Sequence, residues 1–403
     1  MLSLEKTWRW FGEKDPITLK DLRQIGVEGV VTSLHDTLPG ELWAEEKILD
    51  IKNNITQAGL HWSVVESLPV SEGIKQHTAD YDRLIHNYME SLKNLGKNNI
   101  RTVCYNFMPA IDWVRTDIQY LLPEGGEVMY FNYPKFIAFD LFILQRPGAE
   151  QDYTQDQKEK AAQVFQSLAP EEAQELAYNI IVRTQSFIHG SIPSDTADYK
   201  QAFLNLLAAY SDINQTKLRQ HLAQFLSDVL PVAAEYGVNL CIHPDDPPFP
   251  LLGLPRIVST LEDLQWIFGQ NPSLHNGLTF CSGSLSVRED NDLGLILKTF
   301  AERVHFLHLR NNMVLGRDFY ESGHIDGSAN MPELIWIILQ EQHRRKKEGR
   351  SDYQIPVRPD HGIKLLDDFQ KDLPPGYPLV GRLAGLKEIR GIETGLNYRM
   401  NNS

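Results

Sequence analysis

The stretch VNLCIHP, residues 238–244, is a short apolar run that ends on a histidine and a proline. Val, Ile and aromatic residues favour β-strands, whereas proline cannot donate a hydrogen bond to a sheet ladder. Later runs end in the same way on a Cys, His or Asp side chain: LTFC at 278–281, VHFLH at 304–308 and PVRPDH at 356–361. A parallel barrel collects the carboxyl ends of its strands at one mouth, so these polar residues are expected to converge there.

Strand-like runs recur along the chain between segments that have apolar residues at helical spacing. The predicted strands are 27–35, 61–67, 101–108, 238–244, 278–284, 304–310 and 355–362, with an eighth near 379–382. Seven or eight strand–helix units joined by right-handed crossovers close into a barrel. The predicted fold is therefore an α/β fold, a (β/α)8 TIM barrel that forms a single domain over residues 1–403.

Residues 111–213 do not fit one repeat of this pattern. Helix-like polar segments occupy 154–167 and 170–181, and strong strand runs are not evident. Unstructured loops of this length are rare inside compact domains. The segment is predicted to be a helical insertion after the third strand, placed over the barrel mouth.

The composition excludes several classes of protein. Hydrophobic residues make up 42% of the 403 residues, charged residues 23%, and the formal net charge is -14, whereas a nucleic-acid binder would need a basic stripe. The chain shows neither a secretory signal nor an apolar run of about 18 residues, which predicts a cytoplasmic protein without a membrane partner. The chain has three cysteines, and this small, odd number does not suit a disulfide framework.

The residues that end the apolar runs form a candidate metal site. His243, Cys281, His308 and Asp360 can fill four positions around a divalent ion, and a thiolate with nitrogen neighbours favours Fe²⁺, Zn²⁺ or Mn²⁺ over Mg²⁺ or Ca²⁺. Each residue alone has an ordinary alternative role, such as a core histidine or a buried structural cysteine. In VHFLH the two histidines point to opposite faces, so His308 is predicted as the ligand and His305 as structural.

Groups suited to proton transfer follow in the sequence. His361 suits proton transfer near neutral pH, and Tyr377, in PPGYP at 374–378, is either an acid or an aromatic packed on a turn. Asp245 and Asp246 either orient the ring of His243 or form a solvated turn. Such a site would bind a 2-hydroxycarboxylate, remove its C2 proton and release the C3 hydroxyl as water.

These segments together resemble the mannonate dehydratase family. The similarity is carried by TWRWFG at 7–12, GVVTSLH at 29–35, WSVVES at 62–67, TVCYNFMP at 102–109, HPDDPP at 243–248 and RPDHG at 358–362. The resemblance implies a metal-dependent (β/α)8 hydro-lyase, related in fold to xylose isomerases, that uses Mn²⁺ or Fe²⁺. It implies conversion of D-mannonate to 2-keto-3-deoxy-D-gluconate and water in hexuronate catabolism.

The resemblance also implies roles for individual residues. The metal ligands would be His243, Cys281, His308 and Asp360, and the acid/base groups would be His361 and Tyr377. Which of these two removes the C2 proton is left open.

Polar groups at predicted strand ends are candidate contacts for the sugar-acid substrate. They are His35, Glu66, Asn106, Arg288 and Arg310. An arginine can bind a carboxylate through two parallel hydrogen bonds, although most arginines are solvated. A homodimer is expected. Two alternatives remain: a metal-dependent isomerase of free sugars, which needs no carboxylate-binding arginine, and a sugar-acid binding protein, which needs neither proton-transfer group.

Overall fold

A computed structural model gives the structure of residues 2–185, 192–193 and 195–402. In this part of the chain the strands are β1 (Glu5–Arg9), β2 (Gly29–Thr32), β3 (His61–Glu66), β4 (Thr102–Tyr105), β5 (Asp117–Leu121), β6 (Glu127–Phe131), β7 (Asn239–Ile242), β8 (Asn276–Cys281), β9 (Val304–His308), β10 (Asn311–Leu315), β11 (Asp318–Ser322) and β12 (Pro356–Arg358).

The α-helices of the same residues are α1 (Leu19–Gln24), α2 (Glu45–Gln57), α3 (Glu72–Gln76), α4 (Tyr81–Lys97), α5 (Tyr133–Ala138), α6 (Gln155–Ser167), α7 (Pro170–Tyr178), α8 (Tyr199–Ala208), α9 (Gln215–Glu235), α10 (Leu261–Gln270), α11 (Ser282–Leu285), α12 (Leu293–Phe300), α13 (Met331–Lys347) and α14 (Leu379–Asn402). Two π-helical segments, Phe139–Leu144 and Asn179–Arg183, and short 3-10 turns complete the helical structure. None of the helices in the described ranges combines the length and the apolar character that a bilayer-spanning helix needs.

Eight parallel strands close into a barrel in the order β1-β12-β9-β8-β7-β4-β3-β2. Helices follow most of these strands, and their apolar faces pack with the outer faces of the strands in one large core. A second, small cluster of Val31, Val64, Cys104 and Phe306 is formed by strand residues alone. The α/β barrel predicted from the sequence is confirmed.

The eighth strand was predicted at the wrong end of the chain. Residues 379–382 begin α14, and β1 closes the barrel between β2 and β12. A short apolar run does not by itself distinguish a strand from a helix. The helix is favoured here because the buried Asp368 carboxylate accepts hydrogen bonds from the backbone N–H groups of Leu379, Val380 and Gly381.

The long segment between β4 and β7 differs from the prediction in two ways. It follows the fourth barrel strand, because β1 was not predicted, and it contains the β5–β6 hairpin together with α5 to α8. This hairpin pairs through β6 with β11 in an antiparallel sheet of order β10-β11-β6-β5. Residues 186–191 and 194 of the predicted insertion lie outside the described residues.

The two ends of the chain hold each other through a buried ion pair. Lys6 Nζ in β1 lies 2.6 Å from Glu393 Oε2 in α14, and both side chains are buried. The other carboxylate oxygen of Glu393 accepts a hydrogen bond from the backbone N–H of Leu4, and Asn397 donates to the carbonyl of Leu2. The last helix therefore fixes the position of the first strand.

Replacing Glu393 with alanine should destabilise the fold strongly. The variant leaves the Lys6 ammonium buried without its carboxylate, a change that costs roughly 3–5 kcal/mol in the free energy of unfolding. Chemical denaturation of the purified variant measures this loss. The control is Lys387→Ala at an exposed position of α14, which should change the free energy of unfolding by less than about 0.5 kcal/mol. Equal stabilities for the two variants would contradict the assigned role of the ion pair.

Candidate active site

Three side chains of the types that bind metals meet at the mouth of the barrel. His243 directly follows β7, Cys281 ends β8 and His308 ends β9. Their ligand atoms all lie within 4.8 Å of one another, and His243 Nε2 is 3.1 Å from His308 Nδ1. Within the described ranges, this is the one group of three or more His, Cys, Asp or Glu side chains close enough together to hold a metal ion.

Asp360 borders this cluster. It lies two residues after β12, and its Oδ2 atom is 3.9 Å from both Cys281 Sγ and His308 Nδ1. Its backbone φ of 22° lies in a region that residues with a Cβ seldom adopt. The structure thus brings all four predicted ligands to one place, with the carboxylate at the edge of the group.

The electrostatic surroundings prepare Cys281 to bind a cation. Burial raises the pKa of its thiol, but the charge of Arg310 and hydrogen bonds from His243 and His308 bring that pKa well below its ordinary value. The backbone N–H and the hydroxyl of Ser284 also approach the sulfur, at 3.4 and 3.2 Å. These surroundings favour the thiolate form of Cys281.

The donor set fits a divalent transition metal. Burial lowers the pKa of His243, but the hydrogen bond and the charge of Cys281 raise it to about 9. Two ring nitrogens, a thiolate sulfur and a neighbouring carboxylate suit Mn²⁺, Fe²⁺ or Zn²⁺ better than Mg²⁺ or Ca²⁺.

Arg310 binds carboxylates of the protein on three sides. Its Nε donates to Asp360 at 2.7 Å, its Nη2 to Asp246 at 2.5 Å and its Nη1 to Glu321 at 3.3 Å. The side chain is 1% exposed, so it leaves no solvated surface for a ligand to displace. Arg310 lines the cavity, as the sequence predicted for a substrate contact, but its donors hold Asp360 and its neighbours in place.

Asp245 and Asp246 neither orient the ring of His243 nor form a solvated turn, which were the two roles considered from the sequence. Asp245 accepts hydrogen bonds from the backbone N–H of Val258 and the hydroxyl of Ser259. Asp246 binds Arg115 at 2.8 Å and Arg310 on its other side. Neither carboxylate is solvated and neither contacts the ring of His243, which instead makes a 2.7 Å hydrogen bond to the carbonyl of Pro244.

His361 and Tyr377 lie side by side in the same cavity. Their rings are 5.1 Å apart in an edge-to-face arrangement, and His361 Nδ1 is 3.0 Å from the carboxylate of Glu321. Because a carboxylate only accepts hydrogen bonds, this contact assigns a proton to Nδ1 and leaves Nε2 as an acceptor. Burial raises the pKa of the Tyr377 phenol, which keeps it protonated at neutral pH.

One cavity joins these groups. Among the described residues it is lined by Arg9, Glu66, Ser67, Asn106, Asp112, Trp113, His243, Asp246, His308, Arg310, Arg358, Asp360, His361 and Tyr377. Glu66 accepts a hydrogen bond from Arg358 at 2.7 Å and lies 3.4 Å from His308 Nε2. Asn106 donates to Asp112. The predicted contacts Glu66 and Asn106 thus face the cavity.

The structure places two predicted substrate contacts elsewhere. Arg288 binds the carboxylate of Asp290 at 2.5 Å and the carbonyl of Pro248, outside the cavity lining. His35 lies behind Phe11, whose ring is 6.0 Å from that of His35 and 4.9 Å from that of Tyr377. His35 is therefore separated from the cavity by one aromatic ring.

Several residues of the site were missed in the sequence. Arg9 and Arg358 stand inside quoted motifs, and Arg358 is a charged residue in an otherwise apolar strand run, which is a usable signal because unpaired charges are rarely buried. Arg115, Trp113 and Glu321 gave no comparable signal. They lie on the inserted segment and on the β10–β11 hairpin, whose position over the barrel depends on tertiary contacts.

Comparisons with known proteins agree with this geometry. Residues 4–403 match the family model described as D-mannonate dehydratase (UxuA). The mannonate dehydratase of Chromohalobacter salexigens is 46% identical over 396 residues, covering 98% of this chain and 99% of that protein. Mannonate dehydratase 1 of Agrobacterium fabrum is 44% identical over 403 residues, covering 98% of each chain.

A solved structure agrees with both the sequence matches and the barrel. The crystal structure of mannonate dehydratase from Streptococcus suis serotype 2 superposes with a TM-score of 0.78 at 29% identity, over 99% of this chain and 96% of that one. The family suggested by the sequence motifs is confirmed, and the alternative of a non-enzymatic binding protein is excluded. The chain belongs to the D-mannonate dehydratase family and is a hydro-lyase.

Proposed function

We propose that this enzyme converts D-mannonate to 2-keto-3-deoxy-D-gluconate and water, with Mn²⁺ or Fe²⁺ as cofactor, in hexuronate catabolism. The observation that carries the proposal is the meeting of His243, Cys281 and His308 at a cavity that His361 and Tyr377 also line. Membership of the D-mannonate dehydratase family supports a sugar acid, D-mannonate, as the substrate.

The proposed metal ligands are His243, Cys281, His308 and Asp360. When bound, a divalent cation would act as a Lewis acid that stabilises negative charge on the sugar acid as its C2 proton is removed. The protein holds the pKa of the Cys281 thiol well below its ordinary value, which favours the thiolate that a metal binds. Arg310 holds Asp360 next to the other three donors.

The proton transfers are assigned to His361 and Tyr377. His361 Nε2 accepts the C2 proton, because Glu321 holds the proton of the same ring on Nδ1. Tyr377 donates its phenolic proton to the C3 hydroxyl, which leaves as water. The resulting enol, with a C2–C3 double bond, tautomerises to the 2-keto acid. In this elimination His361 thus takes a proton from C2 of the substrate, and Tyr377 gives a proton to the hydroxyl that leaves C3.

The decisive assay offers metal-stripped enzyme D-mannonate after separate addition of Mn²⁺, Fe²⁺, Zn²⁺ and Mg²⁺. We expect 2-keto-3-deoxy-D-gluconate to form with Mn²⁺ or Fe²⁺ and little to form with Mg²⁺, because a thiolate is a poor partner for hard cations. Mannose and xylose serve as control substrates. Turnover of these free sugars without turnover of D-mannonate would favour the isomerase alternative and overturn the proposal.

Replacing Cys281 with serine should remove both metal and activity, because an alcohol is a much weaker ligand than a thiolate. Metal content by elemental analysis and the rate of D-mannonate dehydration should each fall by an order of magnitude or more. Cys241→Ser is the matched control, since Cys241 is equally buried in the neighbouring strand β7 and lies outside the metal cluster. A fully metallated, fully active Cys281→Ser variant would show that this cysteine is only core packing.

Replacing His361 with asparagine should leave the metal in place and abolish the chemical step. Loss of a general base typically costs a factor of roughly 10²–10⁴ in rate. The variant is assayed for metal content and for kcat, beside His305→Asn, whose ring contacts the carbonyl of Leu274 and Asp352 away from the cavity. If His361→Asn loses its metal, the residue belongs to the ligand set.

The assembly and location of the enzyme stay predictions. We infer a homodimer in the cytoplasm, as expected from the sequence. Light scattering of the purified protein measures the assembly, and a larger or smaller particle would contradict it.

A further inference from the structure

Three arginines line the cavity, and they differ in how far their charge is already neutralised. Arg310 meets three carboxylates within 3.3 Å, and Arg358 meets Glu66 and Asp360. Arg9 has one carboxylate neighbour, Glu66, and its Nη1 lies 3.6 Å from Glu66 Oε2. Of these three arginines, Arg9 therefore has the fewest carboxylates within 4.0 Å.

Arg9 is held rigidly while part of its guanidinium remains unpaired. It ends β1, its side chain is 5% exposed, and its Nη1 donates to the backbone carbonyl of Glu66. The buried Nε atom has no hydrogen-bond partner among the described residues. The guanidinium also lies 5.2 Å from the centre of the Phe11 ring. A buried donor without a partner is costly, which favours a ligand that supplies an acceptor.

The position of Arg9 suits one end of a bound sugar acid. Arg9 contacts Glu66, and Glu66 contacts His308 of the metal cluster at 3.4 Å, so a single side chain separates the guanidinium from the metal ligands. Asn106 and Asp112, a neutral amide and a carboxylate, line another part of the cavity. A sugar acid could place its carboxylate at Arg9 and its hydroxyls at polar groups such as Asn106 and Asp112.

A second arginine behind Arg9 adds positive charge to the same side. Arg382 is fully buried, its guanidinium stacks 3.8 Å from the Trp8 ring, and its Nη2 donates to the carbonyl of Arg9 at 3.4 Å. Within the described ranges it forms no ion pair closer than 4.0 Å. Burial and the charge of Arg358 lower the pKa of Arg382 to about 9, although the charges of Asp15 and Asp360 act in the opposite direction.

We propose that Arg9 binds the carboxylate of the sugar-acid substrate and thereby selects acids over uncharged sugars. The inference rests on the proposed function and replaces Arg288 and Arg310 as the carboxylate contact. A planar guanidinium donates two parallel hydrogen bonds to a carboxylate, whereas it gains little from a neutral amide or an alcohol.

The test compares D-mannonate with D-mannonamide, which has the same hydroxyls and no negative charge. Binding of each is measured by titration calorimetry to metal-loaded His361→Asn enzyme, which does not consume the ligand, with and without the further change Arg9→Met. We expect the enzyme with Arg9 to bind the acid at least about 30-fold more tightly than the amide. With Arg9→Met the two ligands should bind within roughly threefold of each other, at unchanged metal content.

Two further variants control for structural damage. Arg9→Lys keeps the charge without the planar fork and should retain part of the preference for the acid. Arg288→Met removes an arginine outside the cavity and should retain all of it. The inference is overturned if the folded, metal-loaded Arg9→Met variant retains the full preference for the acid over the amide. It is also overturned if Arg9→Met and Arg9→Lys both show the same preference as the enzyme with Arg9. Failure of the parent enzyme to dehydrate D-mannonate would instead overturn the proposed function.

Discussion

The charge pairing around Arg310 is the constraint on which the cavity depends. Ionised groups are costly to bury unless they are paired, and Arg310 is surrounded by the buried carboxylates of Asp246, Glu321 and Asp360 and lies close to the buried thiol of Cys281. Arg310 contacts all three carboxylates and lowers the pKa of the thiol. Arg310 therefore lowers the pKa of all four acidic groups, together with Arg115, whose charge acts more strongly on Asp246, and Arg358, whose charge acts more strongly on Asp360.

The same pairing connects parts of the chain that are distant in sequence. Asp246 follows β7, Glu321 belongs to the β10–β11 hairpin, and Arg115, from the segment after β4, binds both of them. Trp113, two residues before Arg115, lines the cavity with its ring 5.7 Å from that of His361. The barrel supplies the metal-binding donors, and the added segments supply the partners that orient them.

The sequence predicted the parts of the site that repeat a simple rule. Apolar runs ending on a ligand gave His243, Cys281, His308 and Asp360, because the strands of a parallel barrel all end at the same mouth. The strand β1 was missed, because EKTWR has three charged residues and a threonine in place of a continuous apolar run.

Residues on the added hairpins that contact the site could not be predicted from the ends of apolar runs. Glu321 reaches His361 only because β11 pairs with β6 of a separate segment, and no local pattern encodes that pairing. The arginines showed the opposite problem. Arg288 and Arg310 were predicted as substrate contacts because they follow predicted strands, but their pairing with Asp290, Asp246 and Glu321 is a property of the tertiary structure alone.

The ion pair between β1 and α14 links the last helix to the position of Arg9. The first strand carries Arg9 and pairs with β12, while its buried Lys6 is neutralised by Glu393 of α14. A substitution in α14 that removes this carboxylate would therefore disturb the strand that places Arg9 at the cavity, although Glu393 itself does not line that cavity.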